Sequence, residues 1–346
     1  MHKRIWLCIF TAMVISQQLP FARVRRRKVP PPRRPRLLNR SPANSPFSVE
    51  GPLLPWDTAV ALEGEMKDAA AIEDPWLQAA SEAAAQQVML GAAVPLRPSA
   101  DPVDDVLHMG VAYVENVLPL NLCQDLNAFV LAELKRAQLK LRAEPDKRFE
   151  LFSKDIRETQ AASGGLQTRF EVQLPRTALT EMALVQVLDS IGGAFERLAG
   201  LKAELWEFTA MVALPGAIPQ RLHCDTGSEL PGLFTAFVAL QDVEDNMGPT
   251  RFLLQTNQMA AHSRFSVDKT SFLNQVASRT AALRSGDASI YDSRVLHCGT
   301  ANNSDRPRVL LVVTFRHVQD ASVDPATRRT QRAFPESKLL SDFLKK

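Results

Sequence analysis

Two hydrophobic periods divide the chain between Val103 and His317. In Val111-Ala-Tyr-Val-Glu-Asn-Val117 the apolar residues alternate with others, the period of a strand. Leu118-Pro-Leu-Asn-Leu-Cys-Gln-Asp125 then opens a stretch running to about Leu141, in which Leu126, Phe129, Val130 and Leu134 fall on one helix face. Thr168–Leu174 reads as a strand ended by Pro175, and Leu179–Leu198 as a second long helix that stops at Gly200. Beyond Gly200 the helical period disappears. Short apolar runs separated by turn residues replace it: Glu204–Leu214, Leu233–Leu240, Thr250–Leu254, Ala288–Tyr291 and Arg308–His317. Helices first and strands afterwards predict an α+β domain whose core is an antiparallel sandwich or barrel.

Upstream of Val103 neither period persists. Residues 49–102 are rich in Pro and Ala, with pieces such as Ala79-Ala-Ser-Glu-Ala-Ala-Ala-Gln-Gln-Val-Met-Leu90 that favour helix but carry too few large apolar residues for a core-facing stripe. They are expected to form a linker with one or two loosely packed short helices, ahead of a folded domain over 103–346. Residues 1–48 differ again. Met1-His-Lys-Arg precedes the apolar run Ile5–Ile15, which is shorter than the roughly 20 residues a spanning helix needs. Arg23-Val-Arg-Arg-Arg-Lys28 and Pro30-Pro-Pro-Arg-Arg-Pro-Arg36 follow. A signal-like start before an acid-free basic stretch is expected to act as a targeting segment for an organelle, plastid or mitochondrion, or else for the endomembrane system, with no stable transmembrane span.

Charge follows the same division. The first 49 residues hold eleven Lys and Arg and no acid, so a net charge of +3 for the whole chain leaves the remainder with thirty bases against thirty-eight acids. A domain of that sign is not built to bind nucleic acid. Four cysteines, Cys8, Cys123, Cys224 and Cys298, lie too far apart for a zinc knuckle or a disulfide framework.

Candidate chemistry centres on Gln220-Arg-Leu-His223-Cys-Asp225-Thr-Gly. In an extended chain residues two apart share a face, so His223 and Asp225 can reach one metal ion. His297, in Tyr291-Asp-Ser-Arg-Val-Leu-His297-Cys-Gly, ends another strand-like run and offers a third ligand. Two imidazoles and one carboxylate form the facial triad that leaves positions open on Fe(II) for a co-substrate and O2. An HxD pair alone is common, but eleven residues after His297 the apolar strand Val309-Leu-Leu-Val-Val-Thr-Phe315 opens with Arg308. Arg308 shares a face with Leu310, Val312 and Thr314, and an Arg pointing inward calls for a carboxylate in a bidentate fork. The surface alternative is an edge-strand ion pair; Arg306, inside the turn, suits that role better. Cys224 and Cys298 each follow a ligand, so alternation turns them into the packing layer as core thiols. His108, His262 and His317 have no partner at metal spacing, and Trp206 and Phe208 read as core.

Set at this spacing, His223-x-Asp225, His297 and Arg308 resemble the phytanoyl-CoA dioxygenase family of 2-oxoglutarate-dependent oxygenases. The likeness covers most of residues 104–317 and takes in Gly110-Val-Ala-Tyr-Val-Glu-Asn-Val-Leu-Pro119, Arg169-Phe-Glu-Val-Gln-Leu-Pro175, Leu214-Pro-Gly216, Leu240-Gln-Asp-Val243, Asn246-Met-Gly-Pro-Thr-Arg-Phe252 and Gly286-Asp-Ala-Ser-Ile-Tyr-Asp-Ser293. One departure is Gln255-Thr-Asn257, where relatives often show Pro-Gly-Ser/Thr-His. The resemblance implies a double-stranded β-helix (a jelly-roll, cupin-like core) with flanking helices. It also implies Fe(II) held by His223, Asp225 and His297, 2-oxoglutarate held by Arg308, and oxidation of a small or lipid-like molecule with release of succinate and CO2. Gln220, Arg169 and Thr250 sit in family-like segments and are further candidates to line the co-substrate pocket. Two other readings compete: a silent β-helix acting as a binding module, which ordinarily lacks a ligand or the Arg, and a zinc hydrolase, which has no use for Arg308. The loops 142–166 and 256–284, which would select the substrate, carry no transferable code.

Overall fold

The computed structural model describes residues 75–92, 94–143, 156–161, 167–227, 232–317, 328, 330 and 332–344. The basic segment 1–48 and the first part of the linker lie outside them.

In chain order the elements are α1 (Pro75–Met89), α2 (Pro102–Met109), β1 (Val111–Val114), α3 (Leu120–Ala143), β2 (Ile156–Ala161), β3 (Gln167–Gln173), α4 (Ala178–Ala199), β4 (Glu204–Ala213), β5 (Leu233–Ala239), β6 (Thr250–Leu253), α5 (Met259–Val267), α6 (Lys269–Gln275), β7 (Ser278–Thr280), β8 (Ala288–Asp292), β9 (His297–Gly299) and β10 (Arg308–Arg316). The strands make two antiparallel sheets, one ordered β1-β8-β5-β10-β4-β3-β2 and one ordered β7-β6-β9. The core is the expected α+β jelly roll.

Alternation decides which layer each strand residue enters. On β10, Val309, Leu311, Val313 and Phe315 face the helices and pack with Leu126 and Val130 of α3 and Leu184, Val187 and Phe195 of α4. Leu310 and Val312 face the other way, into an interior shared with Phe237, Tyr291 and, from the smaller sheet, Phe252. Buried on both faces and paired on both edges, β10 is apolar along its length for that reason. A third cluster, Leu90, Leu222, Leu253, Phe272, Leu273, Leu296 and Cys298, covers the outer side of the smaller sheet.

The long helices stand where their periodicity places them. Thr177 caps α4: its hydroxyl accepts from Thr180 N while Thr180 Oγ1 accepts from Thr177 N, and Gly200 ends the helix at φ 85°. Among the described residues α4 is the one helix long and apolar enough to cross a membrane. Its apolar stripe, Ala183, Leu184, Val187, Leu188, Ile191 and Phe195, is spent on the sheet instead.

Three places differ from the sequence expectation. Residues 256–284 are not a plain loop but hold α5, α6 and β7, and residues 156–161 form the edge strand β2. These pieces are too short to show a period; α6, for example, is set by Asp268, whose carboxylate accepts from Ser271 N. A short helix is the expectation for the linker; its attachment to the sheets is the difference. α1 lies within it, and residues 94–99 join both sheets through Leu96 N donating to Thr280 O and Ser99 N to Tyr113 O. Finally α2, at the linker's end, is framed by Asp101 as N-cap, Pro102, and Gly110 as C-cap.

Candidate metal centre

His223 and His297 are antiparallel bridge partners: each backbone N donates to the other's carbonyl, at 3.0 and 2.8 Å. Two residues on, Asp225 N donates to Ser293 O at 2.8 Å, which turns the Asp225 side chain back toward the pair. One atom from each of His223, Asp225 and His297 lies within 4.8 Å of the other two. Asp225 Oδ1 is 3.9 Å from His223 Nε2, and Asp225 Oδ2 is 3.6 Å from His297 Nε2.

Backbone carbonyls decide the imidazole tautomers. His223 Nδ1 is 2.8 Å from Arg221 O, and His297 Nδ1 is 3.0 Å from Val295 O. A carbonyl only accepts, so Nδ1 carries the proton in both rings and the Nε2 lone pairs point to the common centre. His297 is buried, and that burial pushes its pKa down to about 4; Asp225 opposes the shift and His223 adds to it. The ring is therefore neutral, the form that ligates. Two neutral imidazoles and one carboxylate fit Fe(II) with positions left open.

Tyr291, which the sequence pattern did not single out, completes the surroundings. Its phenol donates to Asp225 Oδ2 at 2.9 Å, and its ring packs on Phe237, Phe252 and His297 at centroid distances of 5.0, 5.1 and 5.1 Å. Burial first, then the Asp225 charge, drive its pKa well above the usual range, so it stays a donor. Period-two alternation in Ala288-Ser-Ile-Tyr-Asp places Tyr291 inward; that its partner is Asp225 is visible only in the fold.

Arg308 faces the interior at 4% exposure. Its Nη1 donates to Gly248 O, its Nε has no partner, and no carboxylate pairs with it among the described residues. Burial, and secondarily the charge of Arg169, push its pKa down to about 9, still above neutrality. A buried cation with an orphaned donor is a fit for an incoming carboxylate.

Arg169 and Arg308 flank Ala213 in register on neighbouring strands. Arg169 uses its guanidinium on the backbone: Nε and Nη2 donate to Ile218 O at 3.3 and 3.1 Å, and Nη2 also donates to Thr300 O. Gln220 Oε1 accepts from Gly299 N at 2.8 Å. The two side chains thus tie the segment before His223 to the segment after His297. They come so close to Gly299 that a Cβ there would lie 2.7 Å from Gln220 Oε1 and 2.8 Å from Arg169 Nη1. Thr250 is buried on β6 opposite Gly299.

The remaining candidates fall where alternation places them. Cys298 and Cys224 point away from the centre, and burial pushes both thiols up to about 11, so they are inert. Arg306 is a surface residue paired with Glu244 at 2.9 Å, and Trp206 and Phe208 are core. His262 Nε2 is 2.8 Å from Arg294 O, and His108 sits near Asp104 on the surface of α2.

Comparison with known proteins agrees with this geometry. No curated protein sequence matches the chain significantly. Solved structures with a similar fold include the non-heme alpha ketoglutarate dependent epimerase SnoN from nogalamycin biosynthesis, at 19% identity over 62% of this chain and 81% of that one, with a TM-score of 0.44. The carbocyclase SnoK of the same biosynthesis gives 21% identity over 68% and 95%, with a TM-score of 0.45. AviO1 from Streptomyces viridochromogenes Tue57 gives 12% over 66% and 100%, with a TM-score of 0.45. At these scores the likenesses carry no weight for the activity. The model of the phytanoyl-CoA dioxygenase family matches residues 108–310, more than half of the chain, and spans both histidines, Asp225 and Arg308. With that match and the His223–Asp225–His297 cluster, the chain belongs to the phytanoyl-CoA dioxygenase family and is a non-haem Fe(II)- and 2-oxoglutarate-dependent oxygenase.

Proposed function

We propose that this oxygenase hydroxylates a small or lipid-like organic molecule, with His223, Asp225 and His297 as the iron ligands and Arg308 as the grip on the distal carboxylate of 2-oxoglutarate. The observation that carries the reading is Arg308: an inward guanidinium, kept out of water, with an unpartnered Nε and no carboxylate of its own among the described residues. Iron and 2-oxoglutarate, when bound, supply the oxidative decarboxylation that releases succinate and CO2 and the oxidising power turned on the substrate.

The chain supplies binding and geometry. Val295 and Arg221 carbonyls hold the two rings in the ligating tautomer, and the positive charge shared by the metal and Asp225, together with that of Arg308, balances the two carboxylates of 2-oxoglutarate. Phe237, Phe252 and Tyr291 exclude water from one side of the centre. Arg169 and Gln220 hold the two histidine-bearing segments together.

The test is Arg308→Ala, read as 2-oxoglutarate affinity in metal-loaded protein. Leaving the carboxylate desolvated and unpaired is expected to cost about 2–5 kcal/mol, which weakens 2-oxoglutarate roughly 30-fold or more. Metal affinity stays unchanged, and Arg308→Lys recovers only part of the loss because a point charge does not reproduce the planar fork. An affinity for 2-oxoglutarate within about threefold of wild type, under 1 kcal/mol, sinks the assignment.

A further inference from the structure

Asp225 stands at one end of a row of hydroxyl groups that crosses four strands. Tyr291 on β8 is in register with Thr235 on β5, Thr235 with Thr314 on β10, and Thr314 with Glu207 on β4. The aligned side chains form two hydrogen-bonded sets. The Tyr291 phenol donates to Asp225 Oδ2 at 2.9 Å, and on the neighbouring strands Thr314 Oγ1 donates to Glu207 Oε2 at 2.8 Å and lies 2.9 Å from Thr235 Oγ1, whose single proton it accepts.

All three hydroxyl residues are buried, and Thr314 is the one polar side chain between Arg308 and Arg316 on an otherwise apolar strand. Burying a hydroxyl there is costly unless a partner accepts and donates. Thr235 and Thr314 meet that demand with each other and Glu207, and the Tyr291 phenol meets it on one oxygen of Asp225.

The reason to hold that oxygen lies in the coordination count. Three single-atom protein ligands would leave positions open on the metal for the co-substrate and dioxygen. A carboxylate binding through both oxygens would take one of them.

We propose that Tyr291 is a positioning residue that engages Asp225 Oδ2 and thereby keeps Asp225 a single-atom ligand with a coordination position open. This rests on the proposed metal triad. Tyr291 touches no substrate in this role; it acts through Asp225, and its contacts with Phe237 and Phe252 would be met equally by a phenylalanine.

The experiment is an anaerobic Co(II) titration of the full chain, read by Co(II) d–d absorption, for wild type, Tyr291→Phe and Thr235→Val, with the metal-free melting temperature of each measured alongside. Loss of a group that orients a metal ligand is expected to weaken Co(II) by about 10- to 100-fold in Tyr291→Phe and to change the d–d spectrum at saturation. Thr235→Val, which leaves the phenol in place, is the control and keeps the wild-type spectrum at saturation. A purely structural role would lower the melting temperature and leave the saturated spectrum as it is, which overturns the proposal. Wild type that takes up no Co(II) overturns the triad and this inference together. Wild type that binds, beside a Tyr291→Phe that binds within about threefold and with the same spectrum, leaves the triad standing and removes Tyr291 from it. Should Tyr291→Phe fail to fold, Tyr291→Met, which also lacks the donor, decides: unaltered affinity and spectrum overturn the proposal.

Discussion

Gly299 shows how much of the centre depends on a side chain that is missing. It follows His297 and Cys298, and its absent Cβ leaves room for Gln220 Oε1 to accept from its amide and for Arg169 to reach Thr300 O. Gly299→Ala pushes a methyl against both and is expected to cost about 1–3 kcal/mol by overpacking, seen as a lower midpoint in urea denaturation. Because Gln220 and Arg169 hold the His223 and His297 segments together, the same variant should weaken metal binding. A midpoint and metal affinity equal to wild type would show the clamp to be slack. At this scale the sequence shows the candidate ligands but not how they are held. His223, Asp225 and His297 are legible because an HxD pair and a distal His are chemically unusual together, whereas Gly299 is one glycine among fifteen.

At the scale of elements, α1 has the least visible role and a direct line to the centre. Gln86 is 5% exposed, and its Oε1 accepts from Leu222 N at 2.9 Å, one residue before His223. Arg221 pairs with Glu82 at 2.7 Å, Gln87 reaches Cys298, and Arg251 donates to the carbonyls of Leu90 and Gly91. An Ala-rich helix with few large apolar residues reads as linker because its hydrophobic period is weak; it is held by polar side chains, which leave no period. Gln86→Ala orphans a buried amide and is expected to lower stability by about 1–3 kcal/mol, measured by chemical denaturation, with metal affinity falling in parallel. No change in either would reduce α1 to an appendage. Among the legible elements, β3, β4, β5, β10, α3 and α4 are long enough for alternation or a 3.6 period to repeat, and β1, β6 and β8 are short apolar runs bounded by turn residues; β7, β9, α5 and α6 offer neither signal.

For the molecule as a whole, the division of charge remains the main guide to what lies before the domain. We propose that the acid-free segment 1–48 serves delivery to an organelle and contributes nothing to the catalytic core. Deleting it is expected to leave the melting temperature and Co(II) affinity unchanged and to alter where a fluorescently tagged protein accumulates in cells. A drop of several degrees in melting temperature would make the segment part of the fold, and an unaltered distribution would remove the targeting role.

What the sequence determined by itself was everything carried by short-range periodicity and by rare chemistry: an α+β chain with its strands late, His223 and Asp225 on one face, Arg308 turned inward among apolar neighbours, and Cys224 and Cys298 turned away. These follow from alternation along a single strand, a property of the local chain. What only the tertiary structure decided were the pairings between distant segments: His223 beside His297, Arg169 on Thr300, Gln86 under Leu222, and Tyr291 on Asp225. Each depends on strand order and register across a sheet whose neighbours are far apart in the chain. No local pattern encodes a register, because a shift of two residues preserves every inside–outside choice while exchanging every partner.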